Sequence, residues 1–332
     1  MQRTFKKTAV IGAGAWGTAL AYTAGQSGCE VVLWTYLERE ADAIRETRKS
    51  LVAPMGANLL PENVQVTSKW EDVAGADLVL VVVPSVVMRS VAQSLAEVGL
   101  ADDAVVMTCS KGIEKDTNLL MSEILASVLN YPVGALSGPN HAEDIVLGLP
   151  SLTLIGFEDL EIAKAVQQHL STPFLRIYTT TDVVGMQLGG AMKNVFALAG
   201  GICAGLGLGD NARAALATRA LAEMTRGGRM ETFMGLSGMG DLVVTCYSEH
   251  SRNLTAGRLI ADGVPTEECQ KRIGQVVEGI PNTLSVYQLA HNLGVRSPLT
   301  DAMYDILYSG KPARQALDEL MTRVLREENV IA

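Results

Sequence analysis

The stretch TAVIGAGAWGTALA, residues 8–21, decides the fold of this chain. Its first four residues, 8–11, are mostly apolar and predict a buried strand, and its Ala-rich end predicts a helix. Between strand and helix, Gly12, Gly14 and Gly17 have the spacing GxGxxG. In such a loop the first glycine permits a tight turn, the second lets the backbone approach a pyrophosphate, and the third allows close helix packing. The stretch therefore predicts a dinucleotide-binding turn.

Short β-branched runs alternate with helix-length stretches from residue 8 to about residue 178. This alternation is typical of βαβ units, which build a parallel sheet covered by helices. The predicted strands are residues 8–11, 30–34, 63–67, 78–83, 104–109, 133–136, 151–155 and 174–178. We therefore expect an α/β chain that begins with a Rossmann-type, doubly wound domain.

The character of the sequence changes after about residue 185, where β-branched runs give way to long stretches rich in Ala, Leu, Met and Gly. This half is predicted to be all-helical. We accordingly divide the chain into a dinucleotide-binding Rossmann domain, residues 1–186, and a helical substrate domain, residues 187–332. Residues 200–209 contain five glycines, so a helix is expected to break or kink there.

Composition excludes several classes of protein. The chain has a net charge of −9 and a pI near 5.1, so its long-range field repels nucleic acid and anionic membranes. Its five cysteines are widely spaced without a CxxC pair, and its four histidines have no metal-ligand spacing. We therefore expect no metal and no disulfide framework. The basic N-terminus leads into a strand and a glycine turn rather than a signal peptide, which favours a cytoplasmic protein.

The choice between NAD and NADP depends on the residues after the second strand. An acid about 20 residues beyond the glycine motif normally binds the ribose 2′-hydroxyl. Here that strand ends at Trp34, followed by Thr35 and Tyr36, and the nearest carboxylate is Glu38. Arg39 lies beside it, so a 2′-phosphate could be tolerated, and Glu38 could equally be an ordinary acid at a helix start. Neither cofactor is demanded by this pattern.

Three further segments of the first half end predicted strands at the edge of the sheet where ligands of open α/β folds bind. They carry Pro84, Lys111, and Gly138 with Asn140. Each also has a purely structural interpretation, because Pro84 can terminate a strand, a lysine at a strand end is usually solvated, and Asn140 can cap the next helix.

The helical half contains two groups of candidate residues. Lys193 is a lone lysine in an apolar, Gly-rich helix, and burial would lower its pKa and make it a useful acid and base, unless it simply extends to solvent. The second group is Asp241 followed by Thr245 and then by Ser251, Arg252 and Asn253, in which the guanidinium could bind a phosphate. The same group could also be a polar loop between helices, with Ser251 and Asn253 as capping residues.

Together these motifs resemble the bacterial NAD(P)-dependent glycerol-3-phosphate dehydrogenases over nearly the whole chain. The resemblance rests on GAGAWGTALA (12–21), VVPS (82–85), SKGIE (110–114), SGPNHAED (137–144), GGAMKNVFALAGGICAGLGLGDNARAALATRALAEM (189–224), TFMGLSGMGDLVVTC (232–246), SRN (251–253) and VVEG (276–279). It implies a Rossmann domain joined to a helical domain, with substrate in the cleft between them. The implied reaction is reduction of dihydroxyacetone phosphate to sn-glycerol 3-phosphate with NADH or NADPH.

The resemblance also implies roles for individual residues. Lys193 matches the family's catalytic lysine, which gives a proton to the carbonyl oxygen during reduction. Positions that match substrate contacts are Lys111, Gly138, Asn140, Lys193, Asp241, Ser251, Arg252 and Asn253. Positions that match cofactor contacts are Gly12, Gly14, Ala15, Trp16, Gly17, Tyr36, Pro84, Lys111, Ala142, Arg252, Val276 and Glu278.

The chain departs from the family pattern at a few positions. Asn140 and His141 replace the usual hydroxyl residue and Phe, so a hydroxyl contact to substrate becomes an amide contact. Tyr36 stands where many relatives carry Arg or His near the 2′-phosphate. The connection between Glu223 and Phe233 is also several residues shorter than usual.

Two rival functions remain open. One is a related β-hydroxyacid or ketoacid reductase, whose substrate would carry a carboxylate instead of a phosphate. The other is a non-catalytic dinucleotide sensor.

The Gly- and Ala-rich helical half suggests a homodimer, although apolar helices serve the core of a monomer equally well. The glycerol-3-phosphate dehydrogenase that the resemblance implies would supply glycerol phosphate for phospholipid synthesis.

Overall fold

A computed structural model describes residues 3–52, 55, 58–248, 251–325 and 327 of the chain. The chain divides into two compact units. The first comprises Met1–Ser110 and Met121–Val183, and the second comprises Lys111–Leu120 and Val184–Ala332. Residues 111–120 are therefore grouped with the helical unit although they lie within the predicted Rossmann sequence. The linear boundary at residue 186 stays a prediction.

The first unit is built on one eight-stranded sheet with the strand order β3-β2-β1-β4-β5-β6-β7-β8. Its strands are β1 (Lys7–Ile11), β2 (Glu30–Trp34), β3 (Val64–Thr67), β4 (Leu78–Val81), β5 (Val105–Thr108), β6 (Val133–Ser137), β7 (Ser151–Gly156) and β8 (Leu175–Thr180). All eight predicted strands are present, with bounds shifted by up to two residues. The order reverses between β1 and β4, which makes this a doubly wound sheet.

Helices flank these strands, and their apolar faces cover the sheet. They are α1 (Ala15–Gly25), α2 (Glu38–Thr47), α3 (Met88–Val98), α4 (Met121–Ala126), α5 (Ala142–Val146) and α6 (Leu160–Leu170). The central strands are buried along their whole length, as expected for a sheet covered on both faces. The core therefore lies between the sheet and its helices, and the loops at the strand ends carry the exposed polar residues.

One strand pair corrects the expectation of a parallel sheet. Strands β6 and β7 are antiparallel, whereas every other neighbouring pair of the described sheet is parallel. The segment between them contains only α5, a helix of five residues. Such a helix spans about 7 Å, too short to carry the chain back along the sheet. The chain therefore re-enters the sheet in the opposite direction.

The second unit is helical. Its helices are α7 (Val183–Gly205), α8 (Gly209–Met224), α9 (Met230–Phe233), α10 (Asp241–Tyr247), α11 (Arg252–Ala261), α12 (Thr266–Ile273), α13 (Gly279–Asn292), α14 (Pro298–Tyr308) and α15 (Ala313–Met321). Helix α7 is buried from Gly185 through Ile202 and forms the centre of the unit. The predicted break within residues 200–209 is found at Gly205, where α7 ends, while the helix passes through Gly200 and Gly201 without interruption.

Glycines let α7 and α11 approach each other at backbone distance. A Cβ on Gly201 would lie 2.1 Å from the carbonyl oxygen of Leu254, and a Cβ on Gly257 would lie 2.1 Å from that of Leu198. Because backbone atoms cannot move away as a flexible side chain can, larger residues would force the two helices apart. This contact fixes the position of α11 against the central helix.

Within the part of the chain that the structure describes, no helix is both long enough and apolar enough to cross a membrane.

We expect Gly201→Ala to destabilise the protein by about 2 kcal/mol or more, because the new methyl group overlaps a backbone carbonyl. The measurement is the urea-unfolding free energy of the variant. Gly227→Ala is the matched control, since among the described atoms its Cβ would meet only Leu188 Cδ1, at 3.8 Å. If the two variants were equally stable, the close contact between α7 and α11 would be wrong.

Candidate active site

The glycine loop between β1 and α1 has the geometry that its sequence predicts. Gly12 has a φ of 114°, a conformation that residues with side chains rarely adopt. A Cβ on Gly12 would lie 2.3 Å from the carbonyl oxygen of Val82, and one on Gly17 would lie 1.7 Å from that of Gly12. The loop is therefore folded tightly against the strand ends, which any larger residue at these two positions would prevent.

Gly14 differs from its neighbours because it faces open space. A Cβ at this position would meet nothing within 4 Å among the described atoms. Gly14 is also the N-cap of α1 and has no side chain to cover the first amides of that helix, which begins with Ala15 and Trp16. An open helix N-terminus with free amides suits the negative charge of a pyrophosphate. The residues present thus fit the phosphates of a dinucleotide.

The other candidate cofactor residues of the first unit lie beyond the ends of strands. Tyr36 follows β2 and is 81% exposed, and Pro84 follows β4 as the N-cap of a short 3-10 turn. Ala142 is buried at the start of α5. The structure thus places all three beyond the carboxyl ends of strands, the edge at which open α/β sheets bind ligands.

Asn140 does not cap the next helix, which corrects one interpretation of the sequence. The N-cap of α5 is His141, one residue further on. The amide of Asn140 is instead directed to β7, where its Nδ2 donates to the carbonyl of Leu152 at 3.1 Å and its Oδ1 accepts from Thr153 Oγ1 at 2.8 Å. Gly138, with a φ of 148°, makes the turn that precedes it. Asn140 therefore fastens this loop to the neighbouring strand.

The most unusual feature of the second unit is a buried carboxylate between two lysines. Asp241 is 1% exposed. Its Oδ1 accepts from Lys193 Nζ at 2.6 Å, and its Oδ2 accepts from Lys111 Nζ. The Lys193 ammonium also donates to Thr245 Oγ1 at 2.7 Å, and that hydroxyl donates to the main-chain carbonyl of Asp241 at 2.7 Å. Four polar groups thus hold one another in place inside the unit.

Local backbone contacts bring these residues together. Asp241 is the first residue of α10 and follows a π-helical turn, Leu236–Gly240. A Cβ on Gly189 of α7 would lie 2.5 Å from the carbonyl oxygen of Ser237 in that turn. Because Gly189 precedes Lys193 by one helical turn, this close approach sets Asp241 beside the lysine. Lys111 is tied to the same unit through its carbonyl, which accepts from Asn282 Nδ2 at 3.4 Å.

The charges in this cluster determine the proton affinity of its members. The pKa of Lys193 is lowered to about 8, chiefly by burial and also by the neighbouring Lys111, while Asp241 opposes both effects. Burial would raise the pKa of Asp241, but the two lysines outweigh it and hold that pKa below its ordinary value. Asp241 is therefore ionised at neutral pH, and Lys193 exchanges its proton near neutral pH.

The cluster carries one excess positive charge when both lysines are protonated, since two ammonium groups face one carboxylate. An ammonium group with a pKa near 8 can donate a proton and take it back at physiological pH. The excess charge can also stabilise an oxyanion or a phosphate. The arrangement suits acid–base chemistry on an anionic substrate.

The SRN segment begins α11 and joins two parts of the helical unit. Ser251 is the N-cap, and its Oγ accepts from the amide of Leu254 at 3.2 Å, as its capping interpretation predicts. Arg252 Nη1 donates to the carbonyl of Val276 at 3.1 Å. Asn253 accepts from the amide of Gly279 at 2.9 Å. The structure therefore brings Arg252 and Asn253 to the segment that contains Val276 and Glu278.

Two further buried polar groups, Asn194 and Thr245, belong to these clusters, and sequence analysis assigns a role to neither of them. Asn194, next to Lys193, accepts from Asn253 Nδ2 at 3.0 Å. Thr245 is one of the hydroxyl residues that the sequence groups with Asp241, and it accepts from the lysine directly, four residues after Asp241 on the same face of a helix. Asn194 has no comparable signal, because its partner lies 59 residues away.

The sequence-predicted residues fall into two sets. The first unit contains the residues of the glycine loop. It also contains Tyr36, Pro84, Gly138, Asn140 and Ala142. The rest belong to the second unit. There Lys111, Lys193 and Asp241 form one cluster, while Arg252 and Asn253 bind the segment that contains Val276 and Glu278.

Known proteins resemble this chain over nearly its full length. Residues 7–163 match the N-terminal profile and residues 182–318 the C-terminal profile of NAD-dependent glycerol-3-phosphate dehydrogenase. A glycerol-3-phosphate dehydrogenase [NAD(P)+] of Geobacter sulfurreducens is 43% identical over 97% of this chain and 99% of its own length. The crystal structure of a glycerol-3-phosphate dehydrogenase from Coxiella burnetii has a TM-score of 0.90 at 34% identity, covering 96% of this chain and 99% of that one.

A ketopantoate reductase structure from Ralstonia eutropha is more distant. It has a TM-score of 0.57 at 20% identity and covers 95% of this chain and 99% of that one, a likeness that shows the fold alone. The chain belongs to the NAD-dependent glycerol-3-phosphate dehydrogenase family.

Proposed function

We propose that this chain catalyses the reversible, NAD(P)H-dependent reduction of dihydroxyacetone phosphate to sn-glycerol 3-phosphate. We base this proposal on the buried Lys193–Asp241–Lys111 cluster, in a chain that also has an open GxGxxG turn. A carbonyl reduction needs a proton for the oxygen and positive charge near it, and the cluster supplies both. Family membership supports the same reaction.

Lys193 is the proposed catalytic residue. When bound, the reduced nicotinamide supplies the hydride that adds to the carbonyl carbon. Lys193 Nζ gives a proton to the carbonyl oxygen and regains it when the reaction runs in reverse. Asp241 and Thr245 hold Nζ in one position through bonds of 2.6 and 2.7 Å, so little reorganisation is needed at the moment of proton transfer.

The remaining predicted residues are assigned to binding. For the substrate we propose Lys111, Gly138, Asn140, Lys193, Asp241, Ser251, Arg252 and Asn253. The phosphate dianion would be balanced by the cations among them, Lys111 and Arg252. Asp241 acts through the lysines, since both of its oxygens accept from them. For the cofactor we propose Gly12, Gly14, Ala15, Trp16, Gly17, Tyr36, Pro84, Lys111, Ala142, Arg252, Val276 and Glu278.

The proposal extends to the setting of the enzyme. We propose a cytoplasmic enzyme, supported by five cysteines that are all free thiols, and a role in supplying glycerol phosphate for phospholipid synthesis. A homodimer formed through the helical unit is also proposed, on the strength of its Ala-rich helix α8, much of which is exposed.

A ketoacid reductase is the second candidate function. Its support is a likeness of fold, and a lysine on a buried helix would serve a carboxylate substrate by the same chemistry. Arg252 and the excess charge of the Lys–Asp–Lys cluster favour the phosphate. A non-catalytic dinucleotide sensor does not require a buried lysine with a lowered pKa. Any turnover would exclude the sensor.

We expect the purified protein to oxidise NADH or NADPH when dihydroxyacetone phosphate is added, measured as loss of absorbance of the reduced nicotinamide. The matched control replaces the phosphate substrate with a 2-ketoacid of similar size. Turnover with the ketoacid alone would support the reductase alternative, and binding of dinucleotide without any turnover would support the sensor.

We expect Lys193→Met to reduce kcat by about 10²- to 10⁴-fold, because the proton donor is lost while the methionine fills a similar volume. Dinucleotide binding, measured by fluorescence titration, should stay largely intact, since Lys193 is not among the proposed cofactor contacts and the GxGxxG turn lies in the other unit. Lys271→Met, at an exposed position of α12, is the control for loss of one positive charge. Wild-type turnover in Lys193→Met would remove Lys193 from the mechanism.

The rate of reduction should depend on pH with a midpoint near the pKa of Lys193, about 8. Reduction requires the ammonium form, so kcat/KM should be high below this pH and fall above it. Oxidation requires the neutral amine, so its kcat/KM should rise over the same interval. A reduction rate that stays constant up to the ordinary lysine pKa of 10.5 would contradict this assignment.

A further inference from the structure

The segment after β2 is held by contacts that the sequence does not reveal. Trp34, the last residue of β2, stacks on Trp70 with ring centroids 4.2 Å apart, and its Nε1 donates to the carbonyl of Ser68 at 3.1 Å. These contacts fix the loop after β3 against the end of β2. The side chain of Ser68 is thereby placed beside Glu38, the first residue of α2.

Both carboxylate oxygens of Glu38 accept hydrogen bonds from neighbouring side chains. Ser68 Oγ donates to Oε2, and the guanidinium of Arg45 donates to Oε1. These hydrogen bonds lower the pKa of Glu38 below its ordinary value, so the carboxylate is ionised at neutral pH. The side chain is 52% exposed, and each carboxylate oxygen retains a second acceptor site. Glu38 is therefore an oriented, charged acceptor that a ligand in solution can reach.

The guanidinium that contacts Glu38, that of Arg45, is already paired with carboxylates of the same helix. Arg45 pairs with Glu38 and also lies 3.3 Å from Asp42, so two carboxylates balance its charge. Glu40 accepts from Thr35 Oγ1 at 2.7 Å. Between residues 35 and 45 there are three acids and two arginines, which leaves a net negative charge at the end of β2. The exposed Arg39 and Lys69 are the cations that could oppose this field.

A Rossmann fold distinguishes its two cofactors at this point of the chain. An acid about 20 residues beyond the glycine motif accepts a hydrogen bond from the ribose 2′-hydroxyl, whereas a nearby arginine accommodates a 2′-phosphate. We propose that Glu38 makes this protein select NADH, whose ribose has a free 2′-hydroxyl, over NADPH, whose 2′-phosphate would face an ionised carboxylate. The inference rests on the proposed function, since it requires that the dinucleotide binds at the GxGxxG turn.

Equilibrium binding of cofactor fragments tests this inference without turnover. The probes are ADP and adenosine 2′,5′-bisphosphate, followed by NADH and NADPH, each titrated by calorimetry into the full chain. We expect wild type to bind NADH about tenfold or more tightly than NADPH, in line with a hydrogen bond to a charged group. Glu38→Gln should bring the two dissociation constants close together, because the amide neither repels the phosphate nor binds the hydroxyl as strongly.

Glu46→Gln is the matched control, because Glu46 is an exposed acid on the same helix and its loss changes the net charge equally. This control should keep the wild-type preference. Equal or tighter binding of the 2′-phosphorylated probes by wild type would overturn the inference and point to Arg39 and Lys69. A preference for NADH that survives Glu38→Gln would also overturn it. Absence of binding by every probe would instead contradict the proposed function.

Discussion

The carboxylate of Asp241, buried between the ammonium groups of Lys111 and Lys193, constrains the rest of the helical unit. A buried charge without a partner is strongly destabilising, and removing one member of a buried pair costs about 3–5 kcal/mol. The three side chains must therefore stay together whenever the unit is folded. This requirement explains why Lys193 can occupy an otherwise apolar helix and why its pKa is lowered rather than its side chain expelled to solvent.

The surrounding backbone is shaped to meet that requirement. Glycines at 189 and 238 allow the turn before α10 to approach α7 and α9 at distances that a Cβ would forbid. The pair Gly201 and Gly257 does the same for α11, the helix that begins with Ser251. The glycine-rich composition of this half thus serves close packing around the cluster, whereas the glycines of the first unit serve a turn open to a ligand. The same residue type has two physical roles in one chain.

Sequence alone predicts those features that depend on neighbours along the chain. The strand, turn and helix around Gly12 are visible because each glycine has a local steric purpose, and Lys193 stands out because a charged residue interrupts an apolar run. Features that depend on distant partners were hidden. The antiparallel β7, the attachment of Asn140 to Thr153, and the grouping of residues 111–120 with the helical unit all arise from tertiary contacts. The same holds for Glu38, whose carboxylate is oriented by Ser68, 30 residues away.

The most direct test of this account is an NMR titration of the Lys193 side chain in protein labelled with ¹³C at the lysine ε-carbon. The signal is assigned by its absence from Lys193→Arg. We expect Nζ to titrate at a pKa of about 8, because burial and Lys111 disfavour its charge more than Asp241 favours it. Titration at the ordinary lysine value of 10.5 would mean that burial and Lys111 do not outweigh Asp241, and would contradict the proposed role of Lys193 as the proton donor.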